Sequence, residues 1–249
     1  MRVIDLEQPR FAGMPIHPSH RPGYFYALHR RHADNPTKSR RTSASGVLTM
    51  MEHTGTHIDA LSHQAADACL HGNVPTSEVE SAAGFSKHGV EEIPPIVRRA
   101  VFANLGDLPP RYEFTPEDLE KALGDTTIQP GDVLLVRTGF AKLWHNEAAY
   151  LDAAGASKAA SIWAAERGVY AVGADNMAWD VPGIVDPETG VQLFAHFYLL
   201  AQKGIYIIEN LNLEELAATG AKECQFICLP LKLNGATGSP VRPIAILNE

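Results

Sequence analysis

The sequence predicts an α/β fold with at least partly parallel strands, organised as a single domain over residues 1–249. Two observations predict it. Beyond residue 96, short apolar runs rich in β-branched residues alternate with segments that carry helix caps, the pattern of strands joined by helical crossovers. No long linker, internal repeat or low-complexity tract divides the chain. A hydrophobic fraction of 45% and a charged fraction of 20% give enough apolar surface to bury a core, which excludes disorder as the main state.

The elements follow in order. The first hundred residues are rich in Pro, Gly and His and show little periodicity beyond the apolar run Leu48-Thr-Met-Met51. Val97–Leu105 is β-branched and aromatic enough for a strand. Thr115 then reads as an N-cap, Pro116 as the first helical residue, and Glu117 and Asp118 as first-turn acids. Gln129-Pro-Gly-Asp132 is a turn before a buried strand at Val133–Arg137. Ser157 caps a helix running to Gly168, and Val169–Gly173 is the next strand, ending beside Asp175. Leu193–Lys203 reads as a helix stopped by Gly204, and Ile205–Ile208 as a strand ending at Glu209. Asn212 caps a last helix ending at Gly220, and Gln225–Leu233 is extended. In open sheets of this class, functional side chains collect at the carboxyl ends of strands, which makes Asp175 and Glu209 candidates.

Charge and composition narrow the partners to small molecules. A net charge of -8 argues against a dedicated nucleic-acid binder, which needs a basic excess. The basic cluster Arg30, Arg31, Lys38, Arg40 and Arg41 reads as a solvated loop. Apolar stretches such as Gly204–Ile208 fall far short of the roughly 20 residues a membrane helix needs. The acids Asp5 and Glu7 interrupt what a signal peptide would keep apolar. Cys69, Cys224 and Cys228 make a poor disulfide framework and read as reduced thiols of a cytoplasmic protein.

Histidine is the unusual count. Seven of the eleven lie between His17 and His63. His53-Thr-Gly-Thr-His57-Ile-Asp59-Ala-Leu-Ser-His63 packs three of them and a carboxylate into eleven residues. An extended backbone places these odd-numbered positions on one face. A helix would set Asp59 about 240° from His53, and Gly55, Thr54, Thr56 and Ile58 disfavour one. Two imidazoles and a carboxylate are ordinary ligands for Zn²⁺, Mn²⁺ or Fe²⁺, and three protein ligands leave open positions for water, the catalytic arrangement.

The segment resembles the His-x-Gly-Thr-His-x-Asp-x-Pro-x-His signature of the metal-dependent cyclase family, which includes bacterial kynurenine formamidases and isatin hydrolases. Asp5-Leu6 and Gly13-Met-Pro-Ile-His-Pro18 resemble that family's opening strand and substrate loop, and Gly235–Ala245 its closing motif. Leu61 stands where the signature has proline. The resemblance implies a swivelling β/β/α domain, usually assembled as a homodimer or homotetramer. It implies His53, His57 and Asp59 as metal ligands, His63 as the catalytic acid/base, and His196 and Glu209 as holders, with Asp59, of a second ion in the formamidase branch. One or two ions, Zn²⁺ or Mn²⁺, are the implied cofactors.

The expected function is therefore a metal-dependent hydrolase of a non-peptide amide, either a small cyclic amide or an N-formyl arylamine, using metal-activated water and His63 as proton shuttle. Phe11, Tyr24, Phe25 and Tyr26 are aromatic candidates to wall the substrate, with His17 and Phe25 as the chosen substrate-binding pair. His17 stands where the formamidases usually present an aromatic residue to kynurenine, which points away from formylkynurenine towards another amide. The rival readings are a lactonase, dehydratase or cyclase acting on a polyketide-like molecule, and a non-catalytic metal- or ligand-binding protein. Retention of His63, which the first ion does not need, argues against the latter.

Overall fold

A computed structural model describes residues 1–34 and 40–247. Nine strands form one mixed sheet: β1 Arg2–Asp5, β2 His57–Asp59, β3 Ile96–Asn104, β4 Val133–Arg137, β5 Ala171–Ala174, β6 Tyr206–Glu209, β7 Glu223–Cys228, β8 Gly238–Pro240 and β9 Ile244–Leu247. Their order is β1-β9-β7-β3-β4-β5-β6-β2-β8. The four strands β3 to β6 run parallel, as the strand–helix alternation predicts. The flanking pairs are antiparallel.

Every residue of β4 is buried, the pattern of a strand covered on both faces. One face packs against α1 (Pro116–Leu123), α2 (Lys158–Glu166) and a π-helix at His196–Lys203, through Leu119, Leu123, Trp163, Leu199 and Leu200. The other face holds Ile4, Ile58, Phe102, Leu135, Ile208 and Phe226 against Leu213 and Leu216 beside α3 (Glu214–Ala218). In β7 inward residues alternate with outward ones, which buries Cys224 and Cys228 as core packing; all three cysteines are free.

The caps work as their residue types dictate. Thr115 and Asp118 form a reciprocal capping box on α1, and the Ser157 hydroxyl accepts from Ala160 N on α2. Three expectations need correction. The segment read as a helix over Leu193–Lys203 is π-helical from His196, and Gly204 ends it in the left-handed conformation at φ 68°. Leu213, not Asn212, occupies the cap position of α3, because the helix starts one residue later, at Glu214; the Asn212 side chain still accepts from Glu214 N at 3.5 Å. The last extended run stops at Cys228, just ahead of Pro230, which has no N–H to pair.

The histidine-rich N-terminal part holds short ribbons. The longest pairs Phe25–Arg30 with Ser45–Thr49, and nearly all of its residues are exposed. Of the basic cluster read as a loop, Arg30 lies on this ribbon and Lys38 lies outside the described residues. Among the described residues no helix is long and apolar enough to cross a membrane.

Candidate metal centre

The site grows from β2. Its His57 faces Glu209 of β6 directly across the antiparallel ladder, and Asp59 faces Gly238 of β8. The two-residue pleat turns His57 and Asp59 to one side and sends Ile58 into the core with Ile208. Gly55 turns the chain at φ 67° to bring His53 back over Asp59. His53 lies so close to β8 that a Cβ on Gly238 would sit 2.6 Å from its ring. His63 follows a tight turn closed by His63 N to Ala60 O at 3.0 Å. Leu61, in place of the signature's proline, fills that turn as a buried core residue.

His53, His57, Asp59, His196 and Glu209 are all buried and line one pocket with His17, His20, His63 and Asn210. His53 Nδ1 is 2.8 Å from Asp59 Oδ1. His57 Nε2 is 3.5 Å from Asp59 Oδ1 and 3.4 Å from Glu209 Oε2. His196 Nε2 is 3.5 Å from Asp59 Oδ2 and 3.1 Å from Glu209 Oε1. Ligand atoms of His53, His57 and Asp59 lie within 4.8 Å of one another, as do those of Asp59, His63 and His196.

Each of the three inner imidazoles has its outer nitrogen committed. His57 Nδ1 donates to Gly55 O at 2.7 Å. His196 Nδ1 donates to Asp180 Oδ2 at 3.0 Å. His53 Nε2 is 2.9 Å from Thr237 Oγ1, whose own proton goes to Glu52 Oε1 at 2.6 Å, so the histidine must donate. Neutral imidazole has one N–H. The inner nitrogens are therefore lone pairs, aimed at two buried carboxylates. Asp59 Oδ2 and Glu209 Oε1 accept no hydrogen bond, although Glu209 Oε1 lies close to His196. Acceptors facing acceptors in a buried pocket call for positive charge between them, and this donor set fits a divalent cation.

The electrostatics show the same demand for positive charge, which protons on these rings would also meet. Burial works against a charged His57 and a charged His196, but Asp59 and Glu209 beside the first, and Asp180 and Glu209 beside the second, raise both. Burial pushes the Asp59 carboxyl up, yet His63, His53 and His57 outweigh it and hold it well below the usual range. Burial and the Asp59 charge raise Glu209. Burial, reinforced by neighbouring histidines, lowers His63 to about 3 and His20 to about 4, so both imidazoles are neutral at neutral pH. Among the described residues neither ring nitrogen of His63 has a hydrogen-bond partner, which leaves it free to move a proton.

Two residues expected near the chemistry are elsewhere. Phe25 is 57% exposed on the ribbon, because the chain leaves the body of the protein there, and it does not line the pocket; His17 does. Asp175 is buried at the end of β5, but its oxygens accept from Thr138 N, Thr138 Oγ1 and Gly139 N, which fixes a neighbouring turn. Sequence reasoning missed His20, which stacks on His53 at 4.8 Å, along with Asn210, Asp180, Thr237 and Glu52. His20 could have been found by its place in the His-rich loop. Asn210, at φ 57°, carries the residue type that tolerates that conformation, while its bond to Gly55 O exists only in the folded chain. The grouping of His20 with His53 and His63 is no separate site, since it shares His53 and His63 with the other two groupings in the same pocket.

A sheet of this order with a buried His/Asp/Glu centre defines a class, and comparison with known proteins agrees. The Cyclase family model matches residues 4–181, and the chain belongs to that family. It is 30% identical over 218 residues to a kynurenine formamidase of Bacillus cytotoxicus, covering 84% of this chain and 83% of the relative. It is 27% identical over 252 residues to a kynurenine formamidase of Bordetella petrii, covering 100% of this chain and 98% of the relative. A crystal structure described as a novel cyclase superposes with a TM-score of 0.88 at 30% identity, over 99% of this chain and 87% of the other. An isatin hydrolase bound to the product analogue thioisatinate shares the fold, with a TM-score of 0.75 at 20% identity over 99% and 92% of the two chains. The chain thus has the swivelling β/β/α fold its motifs imply.

Proposed function

We propose that the protein is a metal-dependent hydrolase that opens the carbon–nitrogen bond of a small non-peptide amide, an N-formyl arylamine or a cyclic amide. The observation that carries this is the convergence of three imidazole lone pairs and two carboxylates, each imidazole held from behind. His53, His57 and Asp59 would hold one ion, and Asp59, His196 and Glu209 a second. Mixed nitrogen and oxygen donors suit Zn²⁺ or Mn²⁺. An ion held there would supply a water acidic enough to ionise near neutral pH and a positive centre for the carbonyl oxygen.

The chain's own residues do the rest. His63, neutral and without a hydrogen-bond partner among the described residues, has its ring centroid 4.0 Å from that of His53 and 6.0 Å from that of His196. It takes the proton of the attacking water and passes it to the leaving nitrogen, which departs poorly unprotonated. Ile16, Met177, Ala178 and Leu193 give the pocket apolar walls, and His17 and Gln64 add polar contacts. Among the described lining residues none is Lys or Arg, which supports an uncharged substrate over one bearing a carboxylate. The alternative of a lactonase, dehydratase or cyclase is not favoured, because the curated relatives matched over most of the chain are named formamidases.

Asp59→Ala tests the reading. Metal content and hydrolysis of N-formylaniline and an aryl lactam should disappear together, and a variant that keeps either would refute it.

We propose further that residues 1–249 act as one catalytic unit that pairs into a homodimer or homotetramer. The pairing of β1 with β9, near the two chain ends, supports the first part. The exposed ribbon supports the second: Phe25, Tyr26, Leu28, Val47 and Leu48 stand about half exposed on a two-stranded element, which is marginal alone in water. Three thiols that form no disulfide support the cytoplasm as its compartment.

A further inference from the structure

We propose that Asp180 is the positioning residue of the second ion position: its buried carboxylate fixes the tautomer of His196 and so keeps Nε2 free as a ligand. This rests on the two-ion reading above. Asp180 Oδ2 accepts from His196 Nδ1 at 3.0 Å, and Oδ1 accepts from Ala195 N at 2.8 Å. One carboxylate thus holds both the imidazole and the backbone that carries it, at the start of the π-helix. Among the described residues no Lys or Arg pairs with Asp180, so its negative charge is directed at His196.

The surrounding loop is built to hold that carboxylate still. Asn176 Oδ1 accepts from Trp179 N at 3.0 Å, and Asn176 Nδ2 donates to Ala154 O at 2.8 Å and Trp179 O at 3.1 Å. The fully buried Trp179 donates from Nε1 to Ser161 Oγ at 3.1 Å. Its φ of 50° is unfavourable for a bulky residue and persists only where the surroundings over-determine it. The other two inner histidines have neutral partners, Gly55 O and Thr237 Oγ1. Of the three, His196 alone hydrogen-bonds a carboxylate directly from its outer nitrogen, which also makes its inner nitrogen a stronger donor, whereas Glu52 bonds His53 only by way of Thr237.

Asparagine at 180 cannot replace this. Its single oxygen satisfies either Ala195 N or His196 Nδ1. With the oxygen on Ala195 N, the amide nitrogen faces Nδ1 and favours the tautomer whose proton sits on Nε2, where an ion would bind.

The test titrates metal-free wild type, Asp180→Asn, Asp180→Ala and Asp180→Glu with Mn²⁺ by calorimetry, and records histidine ¹H–¹⁵N spectra at pH 9. Wild type should bind two equivalents. Asp180→Asn and Asp180→Ala should weaken one of them about 10–100-fold. The other equivalent should keep its affinity, which also reports an intact fold, and Asp180→Glu should recover part of the loss. The Nδ1 proton of His196 should be present in wild type and lost in Asp180→Asn. Two equivalents of unchanged affinity and an unchanged tautomer in Asp180→Asn would overturn the proposal. A wild type that binds a single equivalent contradicts the two-ion reading instead; the tautomer comparison, which needs no metal, still decides the role of Asp180.

Discussion

His63 is where the chemistry and the metal can be separated by one substitution. It lies four residues past Asp59 and shares the pocket, yet the proposed first ion would have three protein ligands without it. In the proposed role of proton shuttle it would contribute about 10²–10⁴-fold to the rate. His63→Ala should lose that factor, keep its metal, and lose one limb of the pH profile of kcat/KM. Metal content measured beside the profile decides it: loss of metal in proportion to activity would make His63 a ligand, consistent with its nearness to Asp59 and His196. At this scale the sequence was informative wherever residues are close along the chain. His53, His57, Asp59 and His63 declared themselves by spacing, because a two-residue pleat and one glycine turn suffice to gather them. Asp180 and Thr237 carry no such signal, since they meet His196 and His53 only through the packing of distant loops.

Among the elements, the helix caps were the most legible features, because their hydrogen bonds close within four residues. Thr115→Ala removes the hydroxyl that accepts from Asp118 N at 3.3 Å, and should cost about 1 kcal/mol, read from urea unfolding with the metal content unchanged. The parallel core of the sheet was equally plain, since β4 is apolar on both faces. The π-helix was not, because no residue among its eight marks an i→i+5 bond over an i→i+4 one. Phe25 falls outside the pocket because aromatic residues in a sequence look alike whether they wall a substrate or not, and only the fold shows the chain leaving the body. That ribbon supplies the test of assembly. Leu28→Asp, at a site 51% exposed, should leave folding intact and shift the sedimentation of the protein to the monomer. An unchanged mass would assign the ribbon another role.

The whole molecule reads as a sheet that delivers ligands to one place. β2 lies far earlier in the chain than the π-helix and β6, which follow one another directly, and the sheet order sets β2 beside β6. The centre is therefore a product of the fold, and an ion bound there should stabilise the native state by mass action, about 2.7 kcal/mol at one hundred times its Kd. This centre uses metal to cleave an amide. The most direct measurement is the rate of carbon–nitrogen cleavage in N-formylaniline and an aryl lactam, followed through chelation and reconstitution with elemental analysis at each stage. Activity should fall with the metal and return when Zn²⁺ or Mn²⁺ is restored. Full amide hydrolysis by verified metal-free protein, or turnover of matched lactones alone by the reconstituted protein, would contradict it.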